Sequence, residues 1–328
     1  MDNKITVLGV KESGKTTYLA GMYICMSLGV KHFSLLAKDP NQDMYLETLW
    51  EKISNGEKPY PTDKAEEYEF HIAHNYKPVM DFDWKDYPGG ILAEPSAPEC
   101  QNLIQDVKDS DCLLLILDGR LFVTAYAENV NQYKENVLKK LKFDKGIRDE
   151  VRMFQRLSAE NFKLPPVGIV VTKCDLIPEE YQSAIQEIIH ETFDQLIDEP
   201  GRTILPMSVT LGGDIVPGFI PDPFNIEQPI AFAVLAILMK YLLLAKMQKN
   251  ENRSFISNNS GFIKSLINSG KIDKARQNSK TLQDAIDKFS ADAYKLIELF
   301  SDRKVIYVDG KEKNLRDYYK EAFRAIAQ

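Results

Sequence analysis

A glycine-containing stretch near the start of the chain carries residue types that bind phosphate. Residues 9–16 match the pattern G-x-x-x-x-G-K-[ST] at every fixed position. In such a loop backbone N–H groups face phosphate oxygens, Lys15 contacts the β- and γ-phosphates, and the Thr16 hydroxyl is placed to bind Mg²⁺. We therefore expect a nucleoside triphosphate here. The expected contacts are Lys11, Glu12, Ser13, Gly14, Lys15, Thr16 and Thr17.

A second short motif, D-x-x-G, occupies residues 86–89 and follows an alternating segment at residues 78–84. An aspartate at a strand end reaches a bound Mg²⁺ through water, so Asp86 is a second candidate metal ligand. Gly89 has no side chain to obstruct its N–H, which is therefore free to meet the γ-phosphate. A plain turn explains D-x-x-G equally well on its own, and the phosphate loop upstream favours the functional interpretation.

A third motif could select the base of the nucleotide. Residues 172–175 read T-K-C-D and directly follow an apolar run. The Asp175 carboxylate can accept hydrogen bonds from both N1–H and N2–H₂ of guanine, a donor pair that adenine lacks. The Lys173 stem can lie over the base, after Thr172. Further on, a backbone N–H at Ser208 or Val209 is expected to meet guanine O6.

The motifs need strands and helices that bring them together. Two alternating segments, 67–74 and 78–84, predict an antiparallel pair. Segments with helical apolar spacing stand between short apolar runs, so the order predicts an α/β fold with a mainly parallel sheet covered on both faces. Residues 112–118 and 167–173 are apolar runs typical of strands buried on both faces, and residues 5–10 and 203–209 predict two further strands.

Charge divides the chain into two parts. Residues 1–249 carry 26 Lys and Arg against 37 Asp and Glu, whereas residues 250–328 carry 15 against 11. We expect a nucleotide-binding domain over 1–249, with helical insertions at about 31–60 and 119–166, and a mainly helical C-terminal module over 250–328. The formal net charge of −7 for the whole chain argues against a nucleic-acid partner.

The longest apolar run, residues 230–239, ends at Lys240 and is shorter than the roughly 20 apolar residues of a membrane span. We expect it to form a buried helix, and we do not expect a membrane partner. The first residues lack the basic region of a signal peptide, and the cysteines lack metal-ligand spacing, which together predict a cytoplasmic protein. The cysteines are Cys25, Cys100, Cys112 and Cys174.

In their order along residues 1–249, these motifs resemble P-loop GTPases of the Ras-like, translation-factor-related class. The resemblance implies a three-layer P-loop NTPase sandwich, with a mostly parallel sheet and one antiparallel edge strand. It implies GTP and GDP as ligands, Mg²⁺ as cofactor and hydrolysis of GTP to GDP and phosphate. It also implies that Thr62 contacts Mg²⁺ and the γ-phosphate, so that Lys15, Thr62 and Gly89 act in catalysis.

A closer resemblance is to bacterial double-GTPase-type proteins, a family associated with prokaryotic conflict and signalling systems. Residues 9–23 (GVKESGKTTYLAGMY) and 222–230 (DPFNIEQPI) carry this resemblance. It implies a molecular switch whose loops at 55–64 and 86–97 are ordered by the γ-phosphate. A protein partner is expected to meet these loops, the 119–166 insertion or the C-terminal module.

One position departs from the Ras-like pattern. Ras-like enzymes usually carry Gln after the D-x-x-G glycine to orient the attacking water, but this chain has Gly90. Hydrolysis should therefore be slow, or another residue should assist. Four arginines in or beside the 119–166 insertion either stabilise charge in cis or are solvated helix charges. They are Arg120, Arg148, Arg152 and Arg156.

Three other functions fit the sequence and remain open at this stage. The chain could bind GTP as a scaffold without useful turnover, an alternative that Gly90 favours. It could be a P-loop ATPase or kinase in which residues 172–175 never meet the base. It could also be a membrane-linked GTPase that uses residues 230–245 or the basic C-terminal part.

Overall fold

The computed structural model describes residues 3–60, 64–93, 96–124, 127–160, 162–250 and 279–327. Its strands form a sheet of nine in the order β2-β3-β4-β1-β5-β6-β7-β8-β9. The strands are β1 (Lys4–Gly9), β2 (Phe33–Ala37), β3 (Glu66–His74), β4 (Lys77–Asp86), β5 (Cys112–Asp118), β6 (Val167–Thr172), β7 (Thr203–Ser208), β8 (Val305–Val308) and β9 (Lys311–Asn314).

The centre of the sheet is parallel. β4, β1, β5, β6 and β7 pair side by side in the same direction, with Ile5 of β1 opposite Cys112 of β5. Every residue of β5 and β6 is buried, because helices cover both faces and leave no solvated side for polar residues. The carboxyl ends of these strands therefore meet at one edge, where the nucleotide motifs lie.

Helices cover both faces of the sheet and confirm the predicted three-layer α/β sandwich. α1, α9, α10 and α11 pack on one face, and α3, α4, α5 and α7 on the other. The helices are α1 (Lys15–Ser27), α2 (Pro40–Ser54), α3 (Pro98–Asp109), α4 (Val130–Phe143), α5 (Lys145–Ala159), α6 (Glu179–Gln182), α7 (Ile185–Thr192), α8 (Asp194–Ile197), α9 (Gln228–Asn250), α10 (Ser279–Ile297) and α11 (Leu315–Ala327).

Antiparallel strands extend the sheet at both sides, where the sequence predicted a single edge strand. β3 and β4 form the predicted hairpin, turning at Asn75 and Tyr76 with φ of 48° and 61°. β2 lies inside the 31–60 segment that was expected to be helical, and it pairs with β3. The segment begins as a strand because Phe33 and Leu35 alternate with less buried residues and point into the core.

The described part of the 119–166 segment contains α4 and α5. Both helices begin with a side-chain cap: Asn129 accepts from the Gln132 N–H, and Asp144 accepts from the Ile147 N–H at 3.0 Å. Asp144 thus fixes the point at which α5 starts. This start lies close to the phosphate loop.

The long apolar helix α9 lies in the core, and its Ile230–Leu238 residues are almost fully buried. Within the described residues, Gln228–Ala245 is the stretch with the length and hydropathy to cross a membrane, and 67% of it is buried in the protein. Lys240, which interrupts the apolar run, pairs with Asp111 at the start of β5.

The described residues after 278 join the same sheet. β8 pairs antiparallel with β7, and β8 and β9 turn at Asp309 and Gly310. α10 packs against α9, with the Tyr241 and Phe289 ring centroids 5.7 Å apart. Residues 251–278, at the expected boundary, lie outside the described part of the chain, so the division into domains over 1–249 and 250–328 stays a prediction.

Candidate nucleotide-binding site

The phosphate loop lies between β1 and α1. Gly9 and Gly14 have φ of 153° and 93°, and a Cβ on Gly9 would lie 2.6 Å from the Ile116 carbonyl oxygen. Lys15 is buried, and its ammonium donates to the carbonyl oxygens of Gly9 and Val10 at 2.9 and 3.3 Å. Burial lowers the pKa of Lys15, while the carboxyl groups of Asp86 and Glu150 oppose that shift.

Asp86 ends β4 and lies opposite Val7 of β1, one strand away from the phosphate loop. It is 2% exposed, and its Oδ1 has no hydrogen-bond partner among the described residues. Burial raises the pKa of Asp86 to about 7 against the opposing charge of Lys15. This orphaned oxygen and the Thr16 hydroxyl in α1 are hard donors that fit Mg²⁺. Thr62, the third expected ligand, lies outside the described residues.

The D-x-x-G loop presses directly on the phosphate loop. A Cβ on Gly89 would lie 2.3 Å from the Lys11 backbone nitrogen, so no side chain fits there. Tyr87 is buried and its hydroxyl donates to Asp106 of α3, which anchors the loop. Gly90 has φ of +88° and open space around it. The two loops are therefore adjacent at their backbones, and nothing fills the side-chain place at Gly90.

The T-K-C-D loop is tied to the phosphate loop by hydrogen bonds. The Thr172 hydroxyl donates to the Ser13 carbonyl at 2.7 Å. Lys173 adopts a left-handed conformation with φ of 52°, and its ammonium donates to the Glu12 carbonyl at 3.3 Å and to Asp118 at 3.0 Å. These contacts hold the segment expected to read the base beside the segment expected to hold phosphate.

Asp175 faces a cavity of about 210 Å³ at the carboxyl end of β6 and β7. Its carboxylate accepts a hydrogen bond from the Thr210 hydroxyl. Thr17 and Leu211 also line this cavity. A polar group at one end and apolar side chains along the walls suit a planar, hydrogen-bonding ring.

The expected role of Val209 needs correction. The Val209 N–H donates to the Val171 carbonyl at 2.8 Å, so it is not available to a base. This hydrogen bond prolongs the pairing of β6 and β7 past Ser208, whose expected contact with the base stays a prediction. Two residues after Val209, Leu211 lines the cavity, and its N–H has no hydrogen-bond partner among the described residues.

The structure brings one of the four candidate arginines to the phosphate loop. The Arg120 guanidinium donates to Asp118 at 2.8 Å and to the Glu12 carbonyl at 3.3 Å. Three other arginines of the insertion are exposed on α5, and one of them pairs with Asp149. These three are Arg148, Arg152 and Arg156.

Sequence reasoning missed Glu150. Its side chain comes from α5 of the insertion, is 3% exposed, and interacts with the charge of Lys15. The sequence feature that could have revealed it is helical periodicity, because Glu150 falls on the apolar face of α5 together with Ile147, Phe154 and Leu157. A glutamate on such a face is unusual and marks the position for attention.

Comparisons with known proteins agree with this architecture. The family model described as Double-GTPase 1 matches residues 6–191. No curated protein matches the chain.

Similar solved structures cover about two thirds of this chain at low identity. Bacterial selenocysteine-specific elongation factor EF-Sec is 13% identical, with 63% of this chain and 26% of that chain covered and a TM-score of 0.32. The Chaetomium thermophilum signal recognition particle receptor SRb is 16% identical, with 65% of this chain and 93% of that chain covered and a TM-score of 0.37. The GTP-bound Saccharomyces cerevisiae Ski7 GTPase-like domain is 15% identical, with 68% and 46% covered and a TM-score of 0.36. This chain thus spans about a quarter of the EF-Sec chain.

Proposed function

Because the chain belongs to the Double-GTPase 1 family, we propose that it is a guanine-nucleotide switch that hydrolyses GTP slowly with Mg²⁺. The hydrogen bond from the Thr172 hydroxyl to the Ser13 carbonyl is the observation that carries the proposal. It fixes a base-sized cavity and a phosphate loop at one edge of the sheet, as a single nucleotide requires.

Phosphate binding rests on the loop and the helix behind it. The N-terminus of α1 and the N–H groups of residues 11–16 attract the phosphates, and Lys15 neutralises the β- and γ-phosphate charge. Thr16, Thr62 and Asp86 would hold Mg²⁺, which supplies charge to the phosphates when bound. The buried Oδ1 of Asp86, which has no partner among the described residues, supports this assignment.

Selection of guanine rests on Asp175. Its carboxylate accepts from N1–H and N2–H₂ of the base, and the Thr210 hydroxyl holds the carboxylate in place. The Leu211 N–H is the donor for guanine O6, in place of the N–H of Val209. An adenine base leaves these groups unpaired, at a cost of roughly 1–3 kcal/mol for each buried group.

The γ-phosphate would be sensed through Gly89 and the loops at 55–64 and 86–97. The chain after β7, which lines the cavity at Leu211 and Gly213, continues to the start of the first of these segments. There Pro217 lies beside Gly56, and the Phe219 ring lies 6.2 Å from Trp50. A base bound in the cavity can therefore influence the 55–64 segment. The output would pass to a protein partner at these loops, the insertion or the basic C-terminal module, in a cytoplasmic bacterial conflict or signalling system.

Turnover is expected to be slow because Gly90 supplies no side chain to orient water. The same observation favours one competing function, a GTP-binding scaffold without useful turnover. Arg120 is the candidate for charge stabilisation in cis, because its guanidinium already lies against Glu12 of the phosphate loop.

The test begins with the nucleotide that copurifies with the full chain. We expect GTP or GDP, followed by phosphate release that needs Mg²⁺ and is abolished by Lys15→Ala, whereas Lys52→Ala on α2 behaves as the wild type. Release no faster than in buffer, with GTP bound, supports the scaffold. Displacement of a fluorescent guanine nucleotide by ATP as readily as by GTP contradicts guanine selection and supports the ATPase alternative.

A further inference from the structure

Glu150 is a buried acid with no obvious structural reason to be charged. It is 3% exposed, and its Oε2 has no hydrogen-bond partner among the described residues. Burying such a group without a partner costs free energy, and an apolar side chain of similar volume would remove that cost. The neighbours Ile147 and Phe154 on the same helix face are apolar. Packing alone therefore favours Leu or Met at this position.

The start of α5 is fitted closely against the phosphate loop. A Cβ on Gly146 would lie 2.0 Å from the Val10 Cγ1, so the helix approaches the loop as closely as a glycine allows. Glu150, one turn further along α5, is buried near enough to Lys15 for the two charges to interact. Because Lys15 is expected to meet the β- and γ-phosphates, Glu150 lies on the side of the phosphate loop that the γ-phosphate would approach.

A small cleft of about 30 Å³ lies beside Gly146 and Val10. Gly9, Val10, Gly90 and Glu150 line it, so the phosphate loop, the D-x-x-G loop and the insertion meet there. A cavity needs roughly 10–15 Å³ to hold one water molecule, and the water needs polar partners. The cleft has this room, it borders the place where Gly90 lacks a side chain, and Glu150 supplies the polar partner.

Resting on the proposed function, we infer that Glu150 is a catalytic residue whose carboxyl group positions the water that attacks the γ-phosphate. Glu150 performs the water-positioning role of the glutamine side chain that Ras-like enzymes carry at the position of Gly90. The water oxygen forms a bond to the γ-phosphorus, and the bond from that phosphorus to the β–γ bridging oxygen breaks. The bridging oxygen keeps the electron pair and leaves on GDP, while the water protons remain with the released phosphate. Glu150 is unchanged at the end of the cycle.

The protonated form of Glu150 suits this task. Burial raises the pKa of Glu150 to about 8, Lys15 opposes the shift, and Asp144 and Asp149 add to it. A protonated carboxyl offers one donor and one acceptor, as the amide of glutamine does. It can accept from the water and donate to a γ-phosphate oxygen without adding negative charge beside the phosphates.

This equivalence defines three variants of the full chain. Glu150→Gln keeps a donor and an acceptor, whereas Glu150→Met keeps the volume and removes both. Glu160→Met is the matched control, because Glu160 lies at the exposed end of α5 and pairs with Lys108. Each protein is loaded with GTP, and the single-turnover rate and the dissociation constants for GDP and a fluorescent non-hydrolysable GTP analogue are measured.

We expect Glu150→Met to slow hydrolysis about 100-fold, within the range for a positioned acid–base side chain, while both dissociation constants stay within about threefold. Glu160→Met should hydrolyse GTP within about threefold of the wild-type rate. Glu150→Gln should be slower than the wild type but roughly tenfold faster than Glu150→Met, because it keeps a donor and an acceptor. Glu150→Met should also raise the melting temperature, which separates lost catalysis from lost folding.

Two results overturn the inference while the proposed function stands. The first is hydrolysis by Glu150→Met at the wild-type rate. The second is a changed GTP affinity in both Glu150 variants at unchanged rate, which makes Glu150 a counter-ion of Lys15. If the wild-type chain binds GTP but releases no phosphate, both this inference and the proposed GTP hydrolysis are contradicted. Failure to bind guanine nucleotide overturns the proposed function itself.

Discussion

The Thr210 hydroxyl donates a hydrogen bond to the Asp175 carboxylate across the mouth of the base cavity. This contact joins the loop after β6 to the loop after β7, and it leaves the rest of the carboxylate to face the cavity. Thr210 is thus placed to orient the side chain to which we assign guanine selection. Substitutions at Asp175 and at Thr210 give two predictions. The first tests recognition of the base by the Asp175 carboxylate, and the second tests orientation of that carboxylate by Thr210.

The first prediction concerns Asp175→Asn. An amide presents a donor where guanine N2–H₂ also donates, so GTP affinity should fall roughly 10- to 100-fold, the effect of unpaired buried polar groups. Xanthine carries an acceptor at that position, so affinity for xanthosine triphosphate should rise. Competition of both nucleotides for a fluorescent analogue measures the change. Unaltered GTP binding by the variant would contradict the assigned role of Asp175.

The second prediction concerns Thr210→Val, which keeps the shape and removes the hydroxyl. GTP affinity should fall about tenfold, since a hydrogen bond to a charged group contributes roughly 1.5 kcal/mol. Affinity for ATP should not change. Thr192→Val is the control, because the Thr192 hydroxyl donates to Ile188 inside α7, away from the cavity. Equal effects of the two valines would argue against an orienting role for Thr210.

Much of this site is predictable because its chemistry is local in sequence. The phosphate loop and residues 172–175 are fixed patterns, and strands such as β5 are apolar throughout because both faces are covered. The N–H of Val209, one of the expected base donors, is used within the sheet instead. β6 and β7 keep pairing past Ser208, through the Val209 N–H, and no composition signal marks where pairing stops.

Two features depend on distant parts of the chain and could not be predicted. β2 is a five-residue edge strand whose partner β3 lies some 30 residues further on, and its short alternation is hidden in a segment otherwise typical of a helix. Glu150 reaches Lys15 only because Gly146 lets α5 approach Val10. The periodicity of α5 shows that Glu150 faces inward, but only the packing of the insertion shows what it faces.

The third prediction contrasts the two glycines of the D-x-x-G loop. Gly89→Ala places a methyl group 2.3 Å from the Lys11 backbone nitrogen and must push the loop away from the phosphates. Affinity for a non-hydrolysable GTP analogue should fall roughly 10- to 100-fold, as for loss of a charge-assisted hydrogen bond. GDP affinity should hold. Gly90→Ala meets open space and strains only its own φ, at roughly 1 kcal/mol, so it should keep both affinities.

The fourth prediction concerns Arg120. Its guanidinium is held by Asp118 beside the phosphate loop, and a cation there can offset charge that develops during hydrolysis. Arg120→Ala should slow single-turnover hydrolysis at least tenfold, because a charge-stabilising arginine contributes roughly 10³-fold or more when fully engaged. Arg152→Ala, on the exposed side of α5, should have no effect. Equal rates for both variants would make Arg120 a structural partner of Asp118.

The last prediction uses pH to read the charge state of Glu150. Burial raises the pKa of Glu150 from 4.5 to about 8, so the folded chain holds a proton that the unfolded chain has already lost near neutral pH. The stability from this proton is complete below the unfolded pKa and disappears as pH rises through about 8. Glu150→Gln does not titrate. Between pH 6 and 8 the wild type should therefore lose roughly 2 kcal/mol of unfolding free energy relative to the variant, because the slope of about 1.4 kcal/mol per pH unit falls off as the pKa is reached. Urea unfolding at both pH values measures the difference, with Glu160→Gln expected to follow the wild type. A constant difference would mean that Glu150 is already ionised at pH 6, and that its carboxylate rather than its protonated form faces Lys15.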